Sequence, residues 1–575
     1  MSDASSTDAA ATPNIRTTTD AYSSDTTTRA PSPVEGVNEK KDTAGEGTSS
    51  SDEGEPLDTE QGTAEYPTGF KLGAIIIALI LGIFILALDM TIVATAIPKI
   101  TEQFETLADV GWYGSAFFMT LGGFQSTWGK VFKYFDLKFG FLAAFFIFEV
   151  GSLICAVAPT STALIIGRAI AGVGAAGIGS GAFTIVAFSA DPKTRPVLTG
   201  IVGTSYGVAA AVGPLIGGAL TDNVTWRWCF YINLPIGGFS AAVILLTFRS
   251  PKAAKPVDAP WREKFLQMDV VGTVLVMGGL IACILAFQYG GQSHAWSDSV
   301  VVGLLVGFVV IFIAFGLWEY FNGERSMIVP RLFRRREVWT GSLYMFCFAG
   351  SYYVAIYYLP IYFQAISGVS PTGSGVRNLP LILTVTVALI ASGATVSATG
   401  IAAPIMVFGA AVAAIASGLL YTLDIGTSAG KWIGYQILGG FAWGSTFQVP
   451  LIIVQSTSAP EDISSVTAII LFFQTASGAF WISAAQSAFV NQMLVRLASV
   501  APDIDPHLLI DTGVTQLREV FTPEQLPGIL EAYMHGIRTA FAIVIGILGG
   551  AFLVSPFSRF KRLNSDAVKA AGGAA

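Results

Sequence analysis

The sequence predicts an all-α polytopic membrane protein with fourteen transmembrane helices. Three observations lead there. Apolar stretches recur between Leu72 and Pro556, each long enough to cross a bilayer, for which roughly 20 helical residues suffice. Charge is scarce inside them: the 575-residue chain is 53% hydrophobic and 12% charged. The connecting loops alternate between Lys/Arg-rich and Lys/Arg-poor. Helix follows from the solvent, because in lipid every backbone polar group must be paired within its own segment.

The first six stretches cover residues 72–97, 112–131, 139–158, 162–188, 197–220 and 229–248. Two more follow at 269–289 and 300–320, and the last six lie at 339–364, 376–399, 401–421, 432–455, 463–490 and 537–556. Lys130 lies at the end of the second stretch, Lys133 and Lys138 follow it, and Arg331, Arg334, Arg335 and Arg336 precede the ninth. Basic loops stay in the cytoplasm, so both termini are expected there and the number of spans is even. The loop over 491–535 is acidic and expected outside, with a short helix near 516–520. Asn223 opens an Asn-Val-Thr glycosylation sequon on the outer side, but its closeness to the membrane makes it a poor acceptor.

The net charge of −7 misleads as a whole-chain number. Fourteen acidic and four basic residues precede Phe70, so residues 1–69 carry −10 and the remainder is basic. This Ser/Thr/Gly/Asp-rich tail lacks the bulky apolar residues that bury a core, and disorder is expected. Phosphorylation, or ubiquitination at Lys40 or Lys41, would give it a further role. The first apolar run begins too late for a cleaved signal, so it is expected to serve as its own insertion signal. Cys155, Cys229, Cys283 and Cys347 form no CxxC pair; no disulfide framework, metal site or cofactor is expected.

Ionisable residues inside a membrane are costly and functional by default. Asp89 lies in the first stretch, Glu149 in the third and Arg168 in the fourth. At about 1.5 Å per residue, all three sit within roughly 9–14 Å of the outer ends of their helices. Burial favours the neutral form of a carboxyl, which is the chemistry of a proton carrier. A structural ion pair between Asp89 and Arg168 is the alternative, and for Glu149 the structural reading leads.

Gly172-Val173-Gly174-Ala175-Ala176-Gly177 fits the dinucleotide fingerprint, but no strand precedes it and it continues an apolar helix. Gly172, Gly174 and Gly177 instead thin the helix so that neighbours approach. The fifth stretch carries Gly203, Gly207, Gly213, Pro214, Gly217 and Gly218, where Pro214 is expected to kink the helix.

Together these segments resemble the fourteen-span drug:proton antiporter branch of the major facilitator superfamily, especially fungal toxin and multidrug efflux pumps. The resemblance rests on an LDxTIVxxAIP motif at 88–98, an Arg-Gly motif at Arg168, Gly172, Gly174 and Gly177, and an antiporter motif from Gly203 to Gly218. The Trp226-Arg227-Trp228 segment running to Pro235 matches the opening of the sixth span. One departure stands out: Lys133 occupies the place of the usual gate acid after span two.

The resemblance implies two six-helix bundles, 70–248 and 339–556, with two extra helices in the linker 249–338 and a cytoplasmic tail at 557–575. Cargo would bind near the midplane while the bundles rock. Tyr357, Tyr358 and Gln364, then Trp443, Phe447 and Gln448, then Phe473 and Gln474 are the cavity candidates, although lipid-facing or packing roles are expected for more than half of the aromatic residues here. The implied protein is a plasma-membrane monomer that exports small amphipathic or aromatic compounds, as toxins, metabolites or drugs, against protons. A vacuolar or vesicle membrane is the alternative address. Proton-coupled uptake of a siderophore or nutrient, and a nutrient-sensing transceptor, are alternative functions. An enzyme is disfavoured because His294, His507 and His535 all lie in or beside outer segments, no phosphate-binding loop points to ATP-driven pumping, and no nucleic-acid partner is expected.

Overall fold

The computed structural model describes residues 67–104, 110–251, 254–512, 514 and 516–563; the tail expected over 1–69 lies almost wholly outside them. Among the described residues every regular element is helical, apart from one isolated bridge between Gly290 and His294. The long helices are α1 (Gly69–Thr91), α2 (Val110–Tyr134), α3 (Leu137–Val157), α4 (Ser161–Ser189), α5 (Arg195–Asn223) and α6 (Asn233–Thr247). They continue as α7 (Val270–Tyr289), α8 (Ser299–Asn322), α9 (Arg336–Ala365), α10 (Pro371–Thr399) and α11 (Ala403–Tyr421). The last three are α12 (Ala429–Thr446), α13 (Ile463–Val500) and α14 (Leu526–Val554). Among the described residues, twelve helical stretches are long and apolar enough to cross a membrane. At the remaining two predicted spans stand α2 and α5, helices of 25 and 29 residues.

Polar side chains start several of these helices. Asp136 accepts from the Phe139 amide, Thr160 from Ala163, Asp269 from Gly272 and Ser370 from Gly373, each satisfying an amide the helix itself leaves unpaired.

Helix boundaries depart from expectation in several places, among them the sixth stretch, where Trp228–Tyr231 precedes α6. The loop expected over 491–535 is shorter, because α13 continues to Val500 and α14 begins at Leu526. These extensions leave the apolar register but stay amphipathic: Met493, Leu497, Ile529 and Tyr533 are buried, while Arg496 pairs with Glu531 outside. The short helix near 516–520 is present as Leu517–Val520. The first and twelfth stretches are each broken, with Val93–Phe104 following α1 and Val449–Thr457 following α12. By contrast, α5 runs as one helix through Pro214.

Helix α4 packs against α3 and α2, and α1 against α5 and α6. A Cβ at Gly174 would overlap the Phe148 backbone of α3, one at Gly172 Thr120 of α2, and one at Gly177 Ala144 of α3. The glycine stripe therefore sets these spacings. In the later part α9, α13 and α14 pack together, as do α10, α11 and α12. The two groups meet chiefly along α2 with α13 and α5 with α10, and α7 rests on both α2 and α13. Helix α8 leans on α7 and leaves Val302, Val306, Val309, Ile313 and Leu317 exposed. Such an apolar face suits lipid or another protein as its neighbour rather than water.

Candidate functional site

Two polar clusters lie inside the helical core. The first joins Asp89 near the end of α1 to Arg168 of α4, both fully buried and directly ion-paired. Arg168 Nε donates to the Tyr113 carbonyl at 2.8 Å, and its guanidinium carbon lies 4.4 Å from the centroid of the Phe117 ring. Asn233 Nδ2 donates to Asp89 Oδ1 at 3.1 Å and to Ser152 Oγ at 3.2 Å. A buried ion pair survives when its remaining lone pairs and protons are also satisfied, and this one is satisfied on both sides. Glu149 does not join it. Among the described residues neither of its carboxyl oxygens has a hydrogen-bond partner, and the carboxyl presses against Gly237 of α6, where a Cβ would overlap it.

The second cluster lies where the two groups of helices meet. Phe447 and Gln448 occupy the break after α12. The Phe447 ring lies 5.4 Å from that of Tyr352 and 6.3 Å from that of Tyr353, and Gln474 Nε2 donates to the Tyr353 hydroxyl at 3.4 Å. Gln448 stands over α5: a Cβ at Gly203 would sit 3.0 Å from its Nε2. Its Oε1 is buried with no partner among the described residues. A turn further, a Cβ at Gly207 would sit 3.1 Å from Thr386 Oγ1. On that same turn is Tyr206, whose hydroxyl and the Gln125 amide both face Gly179 of α4.

The other predicted cavity residues make contacts of their own, and the Trp443 ring lies 6.0 Å from that of Tyr352 beside the second cluster. Trp443 is fully buried and donates to Ser351 Oγ at 3.0 Å, tying α12 to α9. Tyr358, also fully buried, donates to Gln486 Oε1 at 3.0 Å. Gln364 donates to Ser374 Oγ at 2.9 Å, joining α9 to α10. Phe473 stacks on Phe333 and packs against the apolar cluster of Val276 and Phe315 under the α7–α8 hairpin. Tyr357 is 49% exposed. A helix alternates its faces every few residues, and apolar composition alone does not say which face meets a cavity. Gly213 packs against Thr91, whereas a Cβ at Gly218 would meet nothing within 4 Å, so Gly218 makes no close approach. Gly217 is buried, and its carbonyl faces Cys229 Sγ at 3.9 Å. Asn223 is exposed at the end of α5 and donates to the Ala219 carbonyl.

Sequence reasoning missed Gln125, Ser152, Tyr206 and Asn233. Each is a neutral polar residue within an apolar stretch, a weaker signal than a charge but one the sequence carries.

The chain matches the family model described as Major Facilitator Superfamily over residues 79–482. The MFS-type transporter grgE of Penicillium is 56% identical over 511 residues, covering 89% of this chain and 90% of that protein. The efflux pump bfoC of Aspergillus brasiliensis is 42% identical over 516 residues, covering 89% of this chain and 92% of that one. The solved human organic anion transporter MFSD10 aligns with a TM-score of 0.55 at 14% identity, over 85% of this chain and all of that chain, a likeness of fold alone.

Proposed function

The chain belongs to the major facilitator superfamily, a family of membrane transporters and not of enzymes, and on that footing we propose that it is a proton-coupled exporter of small, uncharged aromatic or amphipathic compounds. The observation that carries this reading is the buried Asp89–Arg168 pair, held in place by Asn233. A proton arriving on Asp89 cancels its charge and frees Arg168, so the two conformations differ in their affinity for the proton; that difference is what coupling requires. Glu149, a turn from Ser152 on α3 and unpartnered, is a second station for the same proton.

The central groups are phenols and amides: Tyr206, Tyr353, Gln125, Gln448 and Gln474. Such a wall offers hydrogen bonds and apolar contact without a counter-charge, which suits a neutral cargo. One proton entering releases about 2.3 kcal/mol per 100 mV of membrane potential and about 1.4 kcal/mol per pH unit. Export of a neutral compound against a hundredfold gradient costs about 2.7 kcal/mol, so one proton per cycle is enough. Export over uptake is supported by the Gly213–Gly218 segment and by efflux-pump relatives.

In this reading fourteen helices span the membrane, with the divisions given above, and the Lys/Arg-rich face is cytoplasmic. On that face the halves interlock: a Cβ at Gly200 would meet the Leu389 carbonyl at 2.8 Å, and one at Gly393 would lie 3.1 Å from Val197 Cα. This packing supports a conformation closed on the basic face, which in this reading admits protons from outside. Cells carrying the protein should retain less of a neutral aromatic fluorophore than cells without it, and Asp89→Asn at equal membrane abundance should erase the difference. Equal retention across a panel of neutral aromatic compounds would contradict export.

A further inference from the structure

Lys133 stands where an acid is expected after the second span, and it finds an acid from the other half of the molecule. Its Nζ lies 3.1 Å from Asp462 Oδ1, just before α13, and the Asp462 side chain is only 3% exposed. Arg331 reaches the same carboxylate from the short helix Pro330–Phe333, which follows the α7–α8 hairpin. It donates to both Asp462 oxygens at 3.0 Å each. Its hydrogen bonds to Asp462 and then to Glu324 hold Arg331 above its ordinary pKa, so it remains a cation. Glu324 Oε1 accepts from Arg331 Nε at 2.8 Å, and the Glu324 carbonyl accepts from Lys130 of α2. Below this lattice the backbones nearly touch: a Cβ at Gly129 would overlap that of Ala468 and lie 3.0 Å from the Ser464 carbonyl.

We propose that Asp462 is the hub of the gate on the basic face, closed by Lys133 from the first half and Arg331 from the segment after the hairpin. The polarity is the reverse of the expected one, with the cation on α2 and the acid at α13. The α7–α8 insertion is then a third part of the gate and not only a lipid-facing spacer. Three charge-assisted hydrogen bonds converge on one nearly buried carboxylate; Lys133 must withdraw before α2 and α13 part, and Arg331, through Glu324 and Lys130, ties α2 to the same acid. Loss of either cation leaves the carboxylate under-compensated and weakens the closed state. This inference rests on alternating access alone; it needs neither proton coupling nor a particular cargo.

The test reads conformation directly. In the full-length protein with its four native cysteines replaced, Ser465→Cys places a thiol one turn into α13, at a position only 4% exposed. Inside-out vesicles are treated with a membrane-impermeant maleimide. Lys133→Gln and Arg331→Gln should each speed labelling about tenfold, equivalent to about 1.4 kcal/mol lost from the closed state. Lys133→Arg and Arg331→Lys should stay near the parent rate. Unchanged labelling in both glutamine variants overturns the gate, and faster labelling for Lys133→Gln alone overturns the part given to the hairpin segment. Where a glutamine variant does not fold, linking Lys133→Cys to Arg331→Cys with a short bifunctional thiol reagent decides instead. The link should stop cargo movement, and movement at the unlinked rate overturns the proposal.

Discussion

Asp89 receives hydrogen bonds from Arg168 and Asn233 in a site that excludes solvent, so the residue proposed to carry the proton is also part of what joins α1 to α4 and α6. Removing one member of a buried ion pair costs about 3–5 kcal/mol, because the survivor keeps its charge without compensation. Asp89→Asn should therefore lower the unfolding temperature in detergent clearly, while Asp89→Asn with Arg168→Gln should lower it less than the two single changes combined. Strict additivity in thermal unfolding would show the pair to be uncoupled. At the second cluster, Gln448 offers an unused acceptor beside Phe447. Gln448→Leu should raise the half-saturating cargo concentration by about two- to tenfold, the worth of one hydrogen bond, with little change in stability. An unaltered concentration dependence of transport would remove Gln448 from the binding site. The charges were legible in the sequence because an ionisable group in an apolar run has few innocent explanations. Asn233 and Tyr206 were not singled out, since a neutral side chain in a span is tolerated for many reasons.

At the scale of helices, glycine marks contact only where a neighbour is present. Gly174 lets α4 lie against the backbone of α3, whereas nothing lies within 4 Å of a Cβ at Gly218. Gly174→Val should forbid that approach and abolish recovery of monodisperse protein, while Gly218→Ala should change stability by less than about 0.5 kcal/mol. Size-exclusion profiles of the two variants check the contrast; similar profiles would show that the α3–α4 spacing is not set by that glycine. The apolar pattern placed the helices but not their breaks. The interruption at Phe447 and Gln448 precedes Pro450, and the one after Thr91 lies beside the packed Gly213. Both come from local backbone chemistry and tertiary contact, which hydropathy averages away. For the same reason the amphipathic ends of α13 and α14 read as loop in the sequence, although they bury one face against each other.

For the molecule as a whole, composition and loop charge were enough to give a multi-pass helical protein and a basic face. They did not say that α7 lies across α2 and α13, because lipid-facing and protein-facing apolar residues look alike in sequence. Nor did they show that Lys133 regains an acid from Asp462, a partner more than three hundred residues away. If the basic face is cytoplasmic, a thiol placed at the exposed outer-loop residue Leu508 should react with an impermeant reagent on intact cells. Labelling only after the cells are opened would invert the topology. In the proposed mechanism the carboxyl of Asp89, buried between helices, ties cargo export to proton entry. This coupling is tested most directly in purified, reconstituted vesicles that carry a proton gradient and a neutral aromatic cargo. Collapsing the gradient with an uncoupler should halt uphill cargo movement, and cargo that continues to accumulate at the same rate would contradict the claim.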